Sequence, residues 1–433
     1  MKVRGKMDKA KKISEIPLTC GYFPLETEDL LKFYIDASKA RGIDVLHRLK
    51  RAFEPIPRVY HQVLFLGHIG IGKSTIMYKL EKALSVNYKV LRFSVQEVLD
   101  VNKINFIDLL CAMYEQVLSK CPEIPKKESD LLQRIYDTWY ATTSWEKETE
   151  KDFNLSVESE AGLGVKTKLV NLLSKITSTM RMGNSEREKI CINVARRVQD
   201  YISLLNDLSD MVSALYNKPL LLMFEDLEKI PQNCANQIFD DNGAYFKEIK
   251  LNMLLTTPIY LKYSMKFKNI ISQNFTATER CPMIAITDAY GKDSELGFET
   301  MRNIVYARIS KDLIDEDVLN TVISYSGGVL RDLLLMITEA SRECQTNSIS
   351  INDIEYAFSK LQESYCDGLR SRHVEIINKV YHNPYGLIED EDELNLMHTE
   401  VIIEYNGEQW KGIHPAVVSY FDKRGLLKKK KIK

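Results

Sequence analysis

Eight residues constrain this chain more than any others: Gly67-His68-Ile69-Gly70-Ile71-Gly72-Lys73-Ser74. They follow the short apolar run Gln62–Leu66, patterned as a buried parallel strand, and precede Ser74–Leu84, which reads as a helix. The pattern G-x-x-x-x-G-K-[ST] in that setting has a mechanical meaning. Glycines let backbone N–H groups turn inward around a β-phosphate, a lysine reaches the β- and γ-phosphates, and a hydroxyl takes one position on Mg²⁺. The helix that follows adds its positive dipole end. Gly67 to Ser74, with Thr75 beside them, are therefore the candidate binding residues for a nucleoside triphosphate, and Ser74 is a candidate magnesium ligand.

Such a loop needs an acidic partner at the end of a neighbouring strand. The run Leu220-Leu221-Leu222-Met223-Phe224-Glu225-Asp226 supplies one, with Glu225 as candidate metal ligand and Asp226 as the acid that polarises water. Glutamate in the first position sets its carboxylate one methylene further from the backbone, which loosens metal geometry and slows hydrolysis. Glu228 and Lys229 read equally well as a solvated face. Leu251–Thr256 is a further buried strand, ending in Thr256-Thr257-Pro258. There Thr256 can sense the γ-phosphate or merely cap the strand. Downstream, Ser326-Gly327-Gly328-Val329-Leu330-Arg331-Asp332 reads as a turn and a helix start. It offers Arg331 either to the phosphates or to a structural pair with Asp332. Arg302 and Arg308 are only loose candidates for an arginine donated to a neighbouring subunit.

Around these motifs the chain alternates strand and helix, as α/β sheets do: Tyr88–Ser94 reads as a strand and Phe106–Leu118 as a helix. Residues 28–37 read as a helix in a mixed lead-in. Phe153, Leu155 and Val157 suggest a strand or hairpin, and 174–186 is polar and uncommitted. Arg187–Tyr216 carries apolar residues in steps of three and four, one long amphipathic helix. Beyond about residue 276 the pattern is mostly helical, over Glu299–Leu313, Asp317–Tyr325, Leu330–Cys344 and Ile351–Gln362. In the last block Glu400–Tyr405 and Gln409–Ile413 flank an Asn406-Gly407 hairpin turn, and a helix starts at Pro415. Trp410 and His414 are expected to pack that hairpin.

The series GHIGIGKST, LLLMFEDLEK, LLTTPIYL and SGGVLRDLL resembles the AAA+/STAND-type P-loop ATPases of bacteria, particularly a group common in mobile-element and defence loci. FSVQEVLD (93–100) and EYNGEQWKGIHP (404–415) extend the likeness over roughly 60–430. The resemblance implies Gly67–Ser74 as the Walker A loop, Glu225-Asp226 as the Walker B pair, Thr256 as sensor 1 and Arg331 as sensor 2. It implies ATP with Mg²⁺, hydrolysis and an α/β fold: an AAA+-like P-loop NTPase sheet flanked by helices, then a helical lid and a winged-helix-like domain. The divisions read as a lead-in over 1–60, an ATPase core over 61–275 with an insertion at 121–216, a lid over 276–362 and the winged-helix-like block over 363–433. Glu225 departs from the aspartate that the pattern prefers.

Composition bears on partners. A net charge of -1 over 433 residues gives no broad basic field for nucleic acid or an anionic membrane. The segment 389–398, where a recognition helix would stand, opens with five acids that phosphates repel, and only the Lys428–Lys433 tail is basic. Eight cysteines without a C-x-x-C pair suggest neither zinc nor a disulfide framework and fit a reducing compartment. No signal peptide or membrane span is read, so a cytoplasmic protein is expected. The expected partner is a second copy or an effector protein, the alternatives being an ATP-gated DNA-binding regulator and a non-hydrolysing nucleotide-bound scaffold.

Overall fold

Apolar runs become strands in the computed structural model, which describes residues 8–21, 23–125, 129–143, 164–182, 185–264, 269, 273–405 and 410–428. Five strands, β1 (Gln62–Leu66), β2 (Lys89–Ser94), β3 (Leu220–Glu225), β4 (Asn252–Thr257) and β5 (Ala277–Arg280), form a parallel sheet in the order β2-β3-β4-β1-β5. The three central strands are buried at every position, which is why QVLFL, LLLMFE and NMLLTT are nearly continuous apolar runs. Register runs from Lys89 opposite Leu220 to Ser94 opposite Glu225, and Leu221–Phe224 lie opposite Asn252–Leu255. β5 was missed by its pattern: Ala-Thr-Glu-Arg is half-exposed throughout, as an edge strand is.

The chain divides into two compact units, one of residues 1–49, 66–80 and 280–433, the other of 50–65 and 81–279. Fourteen helices of eight or more residues are distinguished among the described residues. They are α1 (Val45–Ala52), α2 (Lys73–Leu84), α3 (Phe106–Lys120), α4 (Asp130–Tyr140), α5 (Val165–Met182), α6 (Ser185–Ala195), α7 (Val198–Tyr216), α8 (Glu295–Tyr306), α9 (Glu316–Ser326), α10 (Leu330–Glu343), α11 (Ile351–Cys366), α12 (Ser371–His382), α13 (Glu391–His398) and α14 (Pro415–Lys423).

In the unit that holds most of the sheet, Asn105 caps α3 with a reciprocal box through Asp108. The insertion packs α5 on α3 and α4, and Trp139 of α4 is buried between Tyr114 and Tyr201, with ring centroids 5.5 and 4.6 Å away. Two expectations are corrected here. The polar 174–186 stretch is mostly helix, because Leu169, Leu172, Leu173, Ile176 and Met180 make one buried stripe of α5. The single helix expected over 187–216 is two, broken at Arg196 and Arg197, although the apolar spacing runs across the break. The hairpin suggested around Phe153 lies outside the described residues.

In the other unit, α8 to α11 bury one core together with Ala10, Ile16 and Cys20 of the lead-in. Ala10 N donates to Arg308 O and Ser310 N to Ala10 O, both at 2.8 Å. The expected helix over 28–37 is replaced by short turns at Glu28–Leu31 and Ser38–Arg41. After α13 come β6 (Ile402–Glu404) and β7 (Lys411–Ile413), an antiparallel pair whose connecting turn lies outside the described residues. Lys411 and Glu393, both nearly inaccessible, pair at 2.7 Å. Among the described residues no helix is long and apolar enough to cross a membrane.

The turn before α10 holds its shape through Gly328, at φ +88°, where an added Cβ would overlap the carbonyl oxygen of Ile284. Gly328→Ala is expected to destabilise this unit by about 2–4 kcal/mol, since strain and a backbone overlap act together. Gly368→Ala, which meets nothing within 4 Å, should be close to neutral in the same denaturant titration.

Candidate functional site

The loop after β1 is built by two glycines in left-handed backbone, Gly70 (φ +74°) and Gly72 (φ +94°), and α2 begins at Lys73. Lys73 is buried, and its Nζ donates to the carbonyls of Gly67 at 3.0 Å and His68 at 2.6 Å. Ser74 and Ile69 are partly exposed. Thr75 Oγ1 accepts from Leu25 N at 3.0 Å, so this hydroxyl anchors the lead-in. Arg41 donates through its guanidinium to Ile71 O and towards Cys281 Sγ.

Two ties fasten the loop within its own unit, and a third joins the hairpin to the turn before α10. Arg331 N donates to Gly70 O at 3.0 Å, and a Cβ on Gly70 would stand 2.6 Å from Arg331 Cβ, so the start of α10 lies flush on the loop. Glu404 N donates to His68 Nε2 at 2.8 Å, bringing β6 to the same place. Tyr405 Oη donates to Gly327 O at 2.7 Å. Because Nε2 accepts, the imidazole carries its proton on Nδ1, a buried donor with no hydrogen-bond partner among the described residues. Burial, with help from the charges of Lys73 and His398, pulls the His68 pKa down to about 3 and keeps the ring neutral.

The guanidinium of Arg331 is held by Glu400 and by Asp332 Oδ1, the latter at 3.2 Å. Asp332 also accepts from Tyr365 Oη at 2.6 Å and lies 3.2 Å from His414 Nε2. Glu400 is buried in left-handed backbone (φ +62°), and burial raises its carboxyl to about 7 against the opposing pull of Arg331. His414 does more than pack the hairpin: it stacks on Tyr365 at 4.2 Å, and its Nδ1 accepts from Ala416 N to cap α14. Trp410 stacks on Tyr405 at 4.1 Å.

The second cluster stands at the C-terminal ends of β2, β3 and β4, in the other unit. Glu225 is buried against Arg92 of β2, which also holds Glu81 at 2.7 Å. Asp226, at φ +69°, accepts from Ser94 Oγ and pairs with Lys229 at 2.6 Å. Thr256 Oγ1 accepts from Leu227 N at 3.1 Å, tying β4 to the turn that carries the acids. Glu228 is buried, which corrects the solvated-face reading, while Lys229 is exposed. Arg302 is committed to Glu295 and Asn320, and Arg308 is buried on the carbonyls of Phe33 and Ile304.

Sequence reasoning did not find the cavity beside the loop. Tyr34, Ile35, Val45 and Leu46 line it with Gly72, Thr75, Ile76 and Leu330. It is mainly apolar, open to solvent, and ends at the loop, as a flat heterocycle with a phosphate tail requires. No motif marks Tyr34, Ile35, Val45 and Leu46, the first two of which come from a lead-in turn and the other two from the first turn of α1. The glycine cradle, the lysine and hydroxyl at a helix start and the orphan Nδ1 donor fit a nucleotide phosphate chain.

Sheet order and loop define the fold class: an α/β five-stranded parallel sheet flanked by helices, carrying a G-x-x-x-x-G-K-S loop after β1 and a helical C-terminal region. No protein-family model matches the chain, and no curated protein matches it. Among solved structures it is similar to the Walker-type ATPase of Pyrococcus abyssi, at 11% identity over 93% of this chain and 99% of that one, with a TM-score of 0.46. It is also similar to Cdc6p from Pyrobaculum aerophilum (11% identity, 90% and 99% of the chains, TM-score 0.38). A third is the Aeropyrum pernix Orc1 protein in complex with DNA (12% identity, 93% and 87%, TM-score 0.39).

A neutral buried histidine has a pH signature of known sign. With its folded pKa below the unfolded value of about 6.5, His68 contributes stability in full above that pH, and loses it as pH falls towards about 3. Glu400, raised, acts in the opposite sense between about 7 and its ordinary value. Subtracting the pH–stability curve of His68→Gln, whose amide oxygen reaches the place of Nε2 and can still accept from Glu404 N, isolates the His68 part. The difference should grow only below about 6.5.

Proposed function

We infer that this chain is an ATP-binding and ATP-hydrolysing molecular switch, built so that the occupied loop acts on the C-terminal block. The observation that carries this reading is the pair of ties from the loop, Arg331 N to Gly70 O and Glu404 N to His68 Nε2. A phosphate chain drawing Lys73 off the carbonyls of Gly67 and His68 would disturb the backbone on which both ties depend. Binding energy then reaches the lid through Arg331 and the hairpin through β6.

In this reading Lys73 would bind the β- and γ-phosphates, and Ser74 and Glu225 are the residues that would hold Mg²⁺, which would supply charge neutralisation on the phosphates. Asp226 orients the attacking water and takes its proton, and Thr256 positions the acid turn through Leu227 N. Arg331 exchanges its carboxylate partners for phosphate oxygens. The last block, with its helices, hairpin and terminal helix, is read as winged-helix-like. Its acidic α13 favours protein contact over DNA. The whole is of STAND type, cytoplasmic, assembling with itself or with a protein effector, in a setting such as anti-phage defence. The division into lead-in, core, lid and C-terminal block belongs to the same reading.

A second reading, a nucleotide-bound scaffold that barely hydrolyses, is favoured by the engagement of Glu225 with Arg92. Turnover separates the two. Lys73→Ala should abolish nucleotide binding, and Asp226→Asn should lower turnover by roughly 10²–10⁴-fold while binding persists. The mass of the wild-type protein should rise with ATP. Tight binding with neither turnover nor a change of mass would leave the scaffold.

A further inference from the structure

The ion pair at the end of the acid strand has a consequence for metal binding. Arg92 lies opposite Met223 in the parallel register, and Glu225 is two residues beyond Met223, so the side chains of Arg92 and Glu225 fall on one face of neighbouring strands. The guanidinium of Arg92 meets Glu225 through Nη1 and Glu81 through Nε, the latter at 2.7 Å. Glu225 is nearly inaccessible (6%), Arg92 15% accessible and Glu81 30%, so the three side chains meet in partly shielded surroundings. Besides these carboxylates, Lys120 is close by, its Nζ donating to Arg92 O at 2.8 Å.

We propose that Arg92 is a positioning residue that competes with the divalent cation for Glu225, and that Glu81 is the alternative partner that lets it yield. The argument rests on the reading of Glu225 as a magnesium-holding acid. A carboxylate cannot give its full charge to a metal while a guanidinium is docked on it, so the cation binds at the cost of the Arg92–Glu225 contact. Arg92 can afterwards stay paired, because Glu81 already holds its other edge. Three side chains thus set how much Mg²⁺ is required, without any of them but Glu225 touching it.

The two outer members must then act in opposite directions. Arg92→Gln removes the competitor and should tighten the cation, whereas Glu81→Gln removes the carboxylate that draws Arg92 away from Glu225 and should weaken it. The experiment titrates Mn²⁺ as a paramagnetic probe into the full-length protein with a non-hydrolysable ATP analogue, and follows the Mg²⁺ dependence of turnover in parallel. Shifts of roughly three- to tenfold, down for Arg92→Gln and up for Glu81→Gln, are expected for exchange of a partly shielded pair. Arg92→Lys, which keeps a charge without the fork, should fall between wild type and Arg92→Gln. Should Arg92→Gln fail to fold, the half-exposed Glu81→Gln and Arg92→Lys still decide. Shifts of one sign in both variants, or values within twofold of wild type, would overturn the proposal while leaving the function intact, provided Glu225→Gln weakens Mn²⁺. If Glu225→Gln leaves Mn²⁺ affinity unchanged, the metal role of Glu225 fails, and this proposal with it.

Discussion

The hydrogen bond from Glu404 N to His68 Nε2 decides more about this molecule than its size suggests. It joins residues 336 positions apart, and it requires a neutral imidazole in one tautomer, which burial enforces. Around it gather the contact of Arg331 N with Gly70 O, the Arg331–Glu400 pair and the chain from Asp332 to Tyr365 and His414. A buried polar network of this kind holds its members in one arrangement, because each lost partner leaves a desolvated group behind. The loop, the start of α10 and β6 are therefore joined through one buried polar network.

The acid end is governed by a different balance. Glu225 and Asp226 are each held by a cation, Arg92 and Lys229, and Asp226 sits in strained left-handed backbone. Strain of this sort persists only where the surroundings over-determine it, here through Ser94 and the Thr256 tie to Leu227. Charge at this edge is thus matched within its own unit.

Much was legible in the residues. β1, β3 and β4 are apolar because both faces of the sheet are covered, and the glycine spacing of 67–74 has few uses other than a phosphate cradle. α9, α10 and α11 were readable from their apolar stripes to within a few residues. What escaped has physical reasons. β5 is polar because it is an edge, and the break at Arg196–Arg197 carries neither proline nor glycine. The turns over 28–41 replace a helix because Phe33 and Ala37 are drawn into the core.

By itself, then, the sequence determined the sheet's buried strands, the loop and its lysine, and the acid pair that follows β3, since each is a local pattern of spacing and polarity. Only the tertiary structure decided the partners of those groups. That Arg331 meets Glu400, that His68 accepts from Glu404, that Glu225 shares Arg92 with Glu81, and that Tyr34 and Val45 line the cavity beside Gly72 are long-range pairings. A pairing between distant residues is selected by packing and desolvation of the folded chain, and no local periodicity encodes it.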